Sequence, residues 1–152
     1  MPKASVKRLI ECSKKDLITL VLDIEKYPEF VPFCFNAKVY ENKNEGNLTK
    51  IIADLTIGKG PFKDTYKSDV VFDKNKDTIF VKNIEGPLNH LSNNWTFIDK
   101  KNGITEITFD IDFEIKNKFL NSLMVVSFQF GLEKIADAFQ KRAEELFGSS
   151  KD

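Results

Sequence analysis

From Ile107 to Ile115 apolar and polar residues alternate without a break: Ile107, Phe109, Ile111, Phe113 and Ile115 share one parity, and Thr108, Asp110, Asp112 and Glu114 share the other. Successive side chains of a strand point to opposite faces, so this pattern predicts a strand with one buried and one wet face, the acidic residues serving solubility. The same parity places Phe62, Tyr66, Val70 and Phe72 on one face of an earlier strand, and Leu91, Trp95 and Phe97 on one face of another. Turn signals at Asn42–Gly46, Gly58–Pro61, Asp73–Asp77, Gly86–Pro87 and Asp99–Gly103 divide this stretch into about six strands with short connections. An antiparallel meander with one apolar face is the simplest sum. Gly58-Lys59-Gly60-Pro61 superficially resembles a phosphate-binding loop, but no helix and no Lys-Ser/Thr pair follow it, so a hairpin or bulge is expected.

The two ends follow a different period. Ala4 to Glu11 reads as a first strand, and Ser13 with Asp16 three residues on reads as the N-cap of a helix carrying Leu17, Leu20, Val21 and Ile24. Pro28 and Pro32 bracket Glu29-Phe30-Val31, which predicts a short, compact helical corner, because a regular element does not continue easily through Pro32. After Lys118 the apolar residues Val125, Phe128, Leu132, Ile135, Phe139 and Leu146 recur at helical spacing. One helix from about Asn117 to Phe147 would be roughly 45 Å long, enough to cross a sheet. Gly131 inside it is unfavourable by ~1 kcal/mol relative to Ala, which points to a close backbone approach or to room left for something else. The fold class is therefore α+β: a curved antiparallel sheet of about seven strands wrapped on a long C-terminal helix, in a single domain over residues 1–152.

Composition sharpens this picture. Fourteen phenylalanines against one tryptophan and three tyrosines, with 41% hydrophobic residues overall, suit a deep apolar interior. The 23 basic and 23 acidic residues cancel, so the molecule has no overall field to draw it to nucleic acid or to anionic lipid, which leaves only a local patch for either, and specific DNA binding is not expected. Lys3, Lys7, Arg8, Lys14 and Lys15 form a modest basic surface, ordinarily solvated charge, with phospholipid or ribosomal RNA as the functional alternative. Cys12 and Cys34 stand far apart without a CxxC spacing, and both are read as reduced thiols. The N-terminus lacks the apolar run of a secretory signal. The stretch from Phe119 to Leu132 is interrupted by Asn121, Ser122, Ser127 and Gln129, which leaves it short of a membrane span, so any membrane association would be peripheral.

Candidate chemistry is sparse. His90, the only histidine, has no second imidazole and no nucleophile in a recognised motif, so no catalytic or metal site is indicated, and its parity opposes it to Leu91 and Trp95. Two readings of the apolar residues stay open. Trp95, Phe97, Phe109, Ile111, Phe113, Phe128, Leu132 and Ile135 are ordinary core, or they line an apolar cavity. Phe30, Val31 and Phe33 plug one end of the sheet, or they form the lip of a ligand entrance.

The segment Asp23-Ile24-Glu25-Lys26-Tyr27-Pro28-Glu29-Phe30-Val31-Pro32-Phe33-Cys34 resembles the Asp-Val-Glu-x-Tyr-x-x-Phe-Val-Pro-x-Cys corner of the coenzyme Q-binding branch of the START-like (polyketide cyclase-like) superfamily, departing from it only at Ile24. Gly86, His90, Leu91, Trp95 and Phe97 match that family's Gly-x-x-x-His-Leu-x-x-x-Trp-x-Phe segment, and the resemblance extends from Ala4 to about Gly148. It implies a helix-grip (START-like, Bet v 1-like) fold with an internal cavity. It also implies non-enzymatic binding of ubiquinone or a polyprenyl precursor in support of respiratory electron transport, with the lipid as ligand and no cofactor. The ligand-binding set expected on this basis is Phe30, Val31, Phe33, Tyr66, Leu91, Trp95, Phe97, Phe109, Ile111, Phe113, Phe128, Leu132 and Ile135. Bacterial members of the family are named as ribosome-association toxins, which makes the large ribosomal subunit the alternative partner. The expected location is the cytoplasm, with peripheral contact at the inner membrane, or the mitochondrial matrix in a eukaryote.

Overall fold

A computed structural model describes residues 3–147 apart from 60 and 87, and for residues 59, 62, 120 and 123–128 it describes the backbone course alone. Strand β1 (Lys3–Glu11) leads into helix α1 (Lys14–Leu22) and a 3-10 helix over Ile24–Glu29. Six strands follow: β2 (Cys34–Glu45), β3 (Leu48–Lys59), β4 (Phe62–Asp73), β5 (Thr78–Glu85), β6 (Leu88–Asp99) and β7 (Ile104–Ile115). Helix α2 (Lys118–Phe147) closes the chain's described part. All neighbouring strands are antiparallel, in the order β1-β7-β6-β5-β4-β3-β2. The meander predicted from the alternation is therefore complete, and β1 joins its far edge beside β7.

Local chemistry explains the boundaries. Ser13 Oγ accepts from Asp16 N at 3.1 Å and so starts α1 as its spacing predicts. Asp73 Oδ1 accepts from Asn75 N at 3.0 Å and Lys76 N at 3.3 Å, an Asx-type turn between β4 and β5. Lys59 pairs with Phe62 across a two-residue connection, which confirms the hairpin reading of that glycine-rich segment. One boundary differs from expectation: the signal at Asn42–Gly46 predicts a turn, but β2 continues to Glu45, paired with Leu48. Residues 41–45 are exposed on both faces, so no apolar alternation marks this part of the strand, which is held by its backbone ladder and by polar contacts to β3: Thr49 Oγ1 donates to Asn44 Oδ1 at 2.8 Å, and Lys50 Nζ lies 3.1 Å from Glu45 Oε1.

The two sheet edges are managed by side chains from the helical elements. On β1, Gln129 Nε2 donates to Ser5 O at 3.4 Å, Gln140 Nε2 donates to Leu9 O at 3.3 Å, and Glu144 Oε2 accepts from Glu11 N at 3.2 Å. On β2, Glu25 Oε2 accepts from Val39 N at 2.8 Å. These bonds occupy strand groups that would otherwise be open to another chain. Lys14 Nζ ties α1 to the turns after β4 and β6, at 2.8 Å from Asp77 and 3.3 Å from Asp99, and these partners hold its pKa above the ordinary lysine value.

Two expectations about exposure are corrected. Leu146, assigned to the apolar side of α2, is 53% exposed, because the last turn of the helix runs past the end of β1. Asp112 and Glu114 are half-buried rather than freely solvated, and Asp112 faces the His90 ring and Lys3. Val125 and Phe128 on α2, and Phe62 on β4, have side chains outside the described residues.

Candidate functional site

The inner face of the sheet is built by a register that places one parity of each strand over α2. Trp95 of β6 lies opposite Phe109 of β7 and Ile79 of β5, and Phe97 lies opposite Ile107. The Trp95 ring stacks on Phe109 at 4.3 Å and meets Phe139 of α2 edge-on at 5.1 Å. Leu132, Ala136, Phe139 and Ala143 bury the facing side of the helix in the same cluster, with Ile111 and Ile135 half-buried against it. The packing of α2 on the aromatic face is thus as the alternation predicts.

A second, smaller cluster lies toward the end of the sheet where α2 begins. Tyr66, Leu88, Leu91 and Phe113 form it, with Leu55, Ile57, Val81, Ile111 and Ile115 packed around them. Leu55, Val81 and Ile111 touch both clusters. The predicted ligand set therefore falls into two groups. Trp95, Phe97, Phe109 and Leu132 belong to the larger cluster, with Ile135 beside it; Tyr66, Leu91 and Phe113 belong to the smaller, and Ile111 sits at the junction. Phe128 lies outside the described residues.

Between the clusters the inner face carries polar groups that the alternation alone did not single out. Asn93, flanked by Leu91 and Trp95 on the same face, is 7% exposed and donates from Nδ2 to Asp110 O at 3.3 Å. Its Cα partners are Val81 and Ile111, two of the residues that join the clusters. Ser68, two residues from Tyr66, is fully buried and donates to Ala53 O at 3.1 Å. The signal was available: an Asn at an apolar parity position in Leu91-x-Asn93-x-Trp95 breaks the pattern where a buried amide must find partners. Burial pushes the Tyr66 phenol well above its usual range, so it stays a neutral O–H donor.

The corner residues are placed differently. Phe30 is wedged edge-on against Tyr27 at 6.1 Å and Phe139 at 5.1 Å, with the Arg142 guanidinium 5.2 Å from its ring. Arg142 Nη2 also donates to Glu29 Oε1 at 2.9 Å, and the Tyr27 hydroxyl donates to Val21 O. Phe30 and Val31 pack on the larger cluster, and the corner is fastened to α2 from several sides. Phe33 adopts a positive φ of 69° and directs its ring at α2, where Cε2 lies 3.8 Å from the position a Cβ would take on Gly131. A Cβ at Gly131 would stand at an ordinary contact distance from that ring, so no close backbone approach requires the glycine there.

The motif residues have physical roles. Gly86 has φ of 137°, and a Cβ on it would lie 2.8 Å from the Cβ of Tyr66, so the end of β5 packs this closely against β4 only without a side chain. Asn83 ties β5 to β6, accepting from Leu91 N at 2.8 Å and donating to Leu88 O at 3.3 Å. His90 lies on the outer face, as its parity predicts, with Nε2 3.3 Å from Asp112 Oδ1. The two buried thiols, Cys12 and Cys34, are each pushed up to about 11; burial dominates at both, and Asp16 and Glu144 add to it at Cys12. Such thiols are poor nucleophiles. Among the described residues no cluster of three or more His, Cys, Asp or Glu is placed to hold a metal.

Comparison with known proteins agrees with this arrangement. Residues 11–140 match the family described as polyketide cyclase / dehydrase and lipid transport. A ribosome association toxin, RatA, from Rickettsia prowazekii is 31% identical over 142 residues, covering 91% of this chain and 94% of that protein. The mitochondrial coenzyme Q-binding protein COQ10 from Dictyostelium discoideum is 32% identical over 136 residues, covering 87% of this chain and 64% of that protein. A START superfamily protein from Mycobacterium smegmatis has the same fold, with a TM-score of 0.80 over 95% of this chain and 98% of that one at 19% identity.

Proposed function

The chain belongs to the polyketide cyclase / dehydrase and lipid transport family, and from that premise we propose that it binds a polyprenyl quinone or a quinone precursor on its inner face without transforming it. The observation that supports this most directly is the inner face itself: two apolar clusters joined through Leu55, Val81 and Ile111, with the Asn93 amide between them and the Tyr66 phenol at one side. An isoprenoid tail gains ~0.8 kcal/mol per buried CH₂ before ordering costs, so apolar walls alone supply useful affinity. Quinone carbonyls accept hydrogen bonds, and Tyr66 and the Asn93 amide are donors in an environment where such bonds are strong. The coenzyme Q-binding name of the Dictyostelium relative supports the same ligand class. A non-enzymatic role fits the chemistry described, with high-pKa thiols and a histidine on the outer face.

Trp95 is the only tryptophan in the chain and lies on this face. Titration with a short-chain ubiquinone should therefore quench its fluorescence saturably, whereas a quinone that leaves the emission unchanged at any concentration would reject the reading. The name and full-length coverage of the Rickettsia relative support a second reading, engagement of the large ribosomal subunit. Co-sedimentation with purified large subunits that persists at moderate salt would support it, and absence at low salt would remove it.

A further inference from the structure

Helix α2 changes character halfway along its outer side. Its C-terminal half shows Asp137, Gln140, Lys141, Glu144 and Glu145, a polar and predominantly acidic surface. Its N-terminal half instead exposes two large rings, Phe119 at 68% and Phe130 at 64%, which lie eleven residues or about three turns apart and so on one side of the helix. Lysines accompany them: Lys116 and Lys118 precede Phe119 and are exposed, and Lys134 Nζ lies 4.8 Å over the Phe130 ring. A second pair of the same kind, exposed Phe35 with Lys63 Nζ 4.1 Å over its ring, sits beside the β3–β4 hairpin at this end of the sheet.

Exposed phenylalanine rings in water are unfavourable, and the lysines beside Phe119 and over Phe130 and Phe35 can turn their ammonium groups toward an opposing negative surface. We propose that this end of the molecule, Lys116 together with α2 from Lys118 to Lys134, with Phe119 and Phe130 as the inserting rings, docks on the surface of an anionic lipid bilayer. Phenylalanine offers a bilayer its whole ring without a polar group to desolvate, and flanking lysines match anionic headgroups, which is the pattern of a peripheral helix face. No helix among the described residues is long and apolar enough to cross the membrane. RNA fits less well, because what sets this face apart is two exposed phenylalanine rings, which an acyl layer buries and a charged phosphate backbone does not.

Beside the docked end, an open depression of ≈ 480 Å³ between α2 and strands β1 and β7 is lined by Lys3, Ala4, Asp112, Gln129 and Ile111, the last being one of the residues that touch both inner clusters. Gln129, the residue before Phe130, bridges it through its bonds to Ser5 O and Glu133. On the reading of the protein as a lipid binder, docking through Phe130 would bring this depression to the bilayer surface.

The test is flotation of the full chain with phosphatidylcholine vesicles, with and without phosphatidylglycerol, none containing quinone. The wild type should float with the anionic vesicles and lose binding as salt rises. The F119S/F130S variant should bind at least about ten-fold more weakly, from the loss of two inserting rings, and Lys116→Glu with Lys118→Glu and Lys134→Glu should bind about as poorly. All five positions are exposed, so thermal melts should match the wild type. Docking is overturned if the wild type stays with the unbound fraction, or if F119S/F130S floats as well as the wild type. It is equally overturned if these variants change the oligomeric state or ribosome co-sedimentation while vesicle binding is unchanged. Quenching of Trp95 by soluble quinone, measured without vesicles, reports the inner face alone: quenching without flotation ends the docking proposal only, and flotation without quenching ends the quinone reading only.

Discussion

Phe109 lies on Trp95 at 4.3 Å with its ring sealed from solvent, so Phe109→Ala removes a packed neighbour from both Trp95 and the core around it. The expected loss is about 3–5 kcal/mol, measured by urea denaturation; a distinctly smaller loss would mean that the ring borders empty space. Two glycines make opposite predictions by the same measurement. Gly86→Ala should cost more than ~1 kcal/mol, since its positive φ and the Tyr66 Cβ at 2.8 Å both oppose a side chain. Gly131→Ala should be neutral or add up to ~1 kcal/mol, because the nearest atom, Phe33 Cε2, stands at an ordinary contact distance of 3.8 Å. The cysteines set an alkaline limit. Burial pushes each thiol up to about 11 in the folded chain from an ordinary 9.0, so the folded state holds its protons more tightly. The stability this contributes is fully present below pH 9.0 and is lost as pH rises through about 11. The Cys12→Ala, Cys34→Ala double variant should show a shallower fall in Tm across that window, and parallel curves would show that other groups govern it.

At the level of elements, the period of two and the turn residues made β4, β6, β7 and the hairpins legible, because each of these strands buries one face and leaves the other wet. Helix α1 was legible from Ser13 and Asp16, and Ser13→Ala should cost about 1 kcal/mol in a thermal or urea melt while leaving Trp95 quenching by quinone intact. Long-range features were not legible. The outer part of β2 has no buried face to produce a pattern, and Leu146 continues the helical spacing beyond the point where β1 ends. The bonds from Gln129, Gln140, Glu144 and Glu25 to the edge strands join residues as far as 133 positions apart, and in the sequence these read as ordinary surface polar groups.

Across the whole molecule, the sequence revealed which residues face inward but not that they divide into two clusters. That division depends on the register of β5, β6 and β7, which pairs Asn93 with Val81 and Ile111. The family corner and the Gly86–Phe97 motif likewise identified positions without their roles: a corner fastened to α2 through Phe30, Glu29 and Arg142, and a glycine that lets the end of β5 pack closely against β4. The resulting account makes the inner face the functional surface and a quinone lipid its occupant. Mass spectrometry of the lipid extracted from protein purified without denaturant tests this directly. The account predicts an isoprenoid quinone or quinone precursor carried in near-stoichiometric amount, or taken up to that level when added to stripped protein; extracts free of isoprenoid lipid from a protein that also fails to take up added quinone would contradict it.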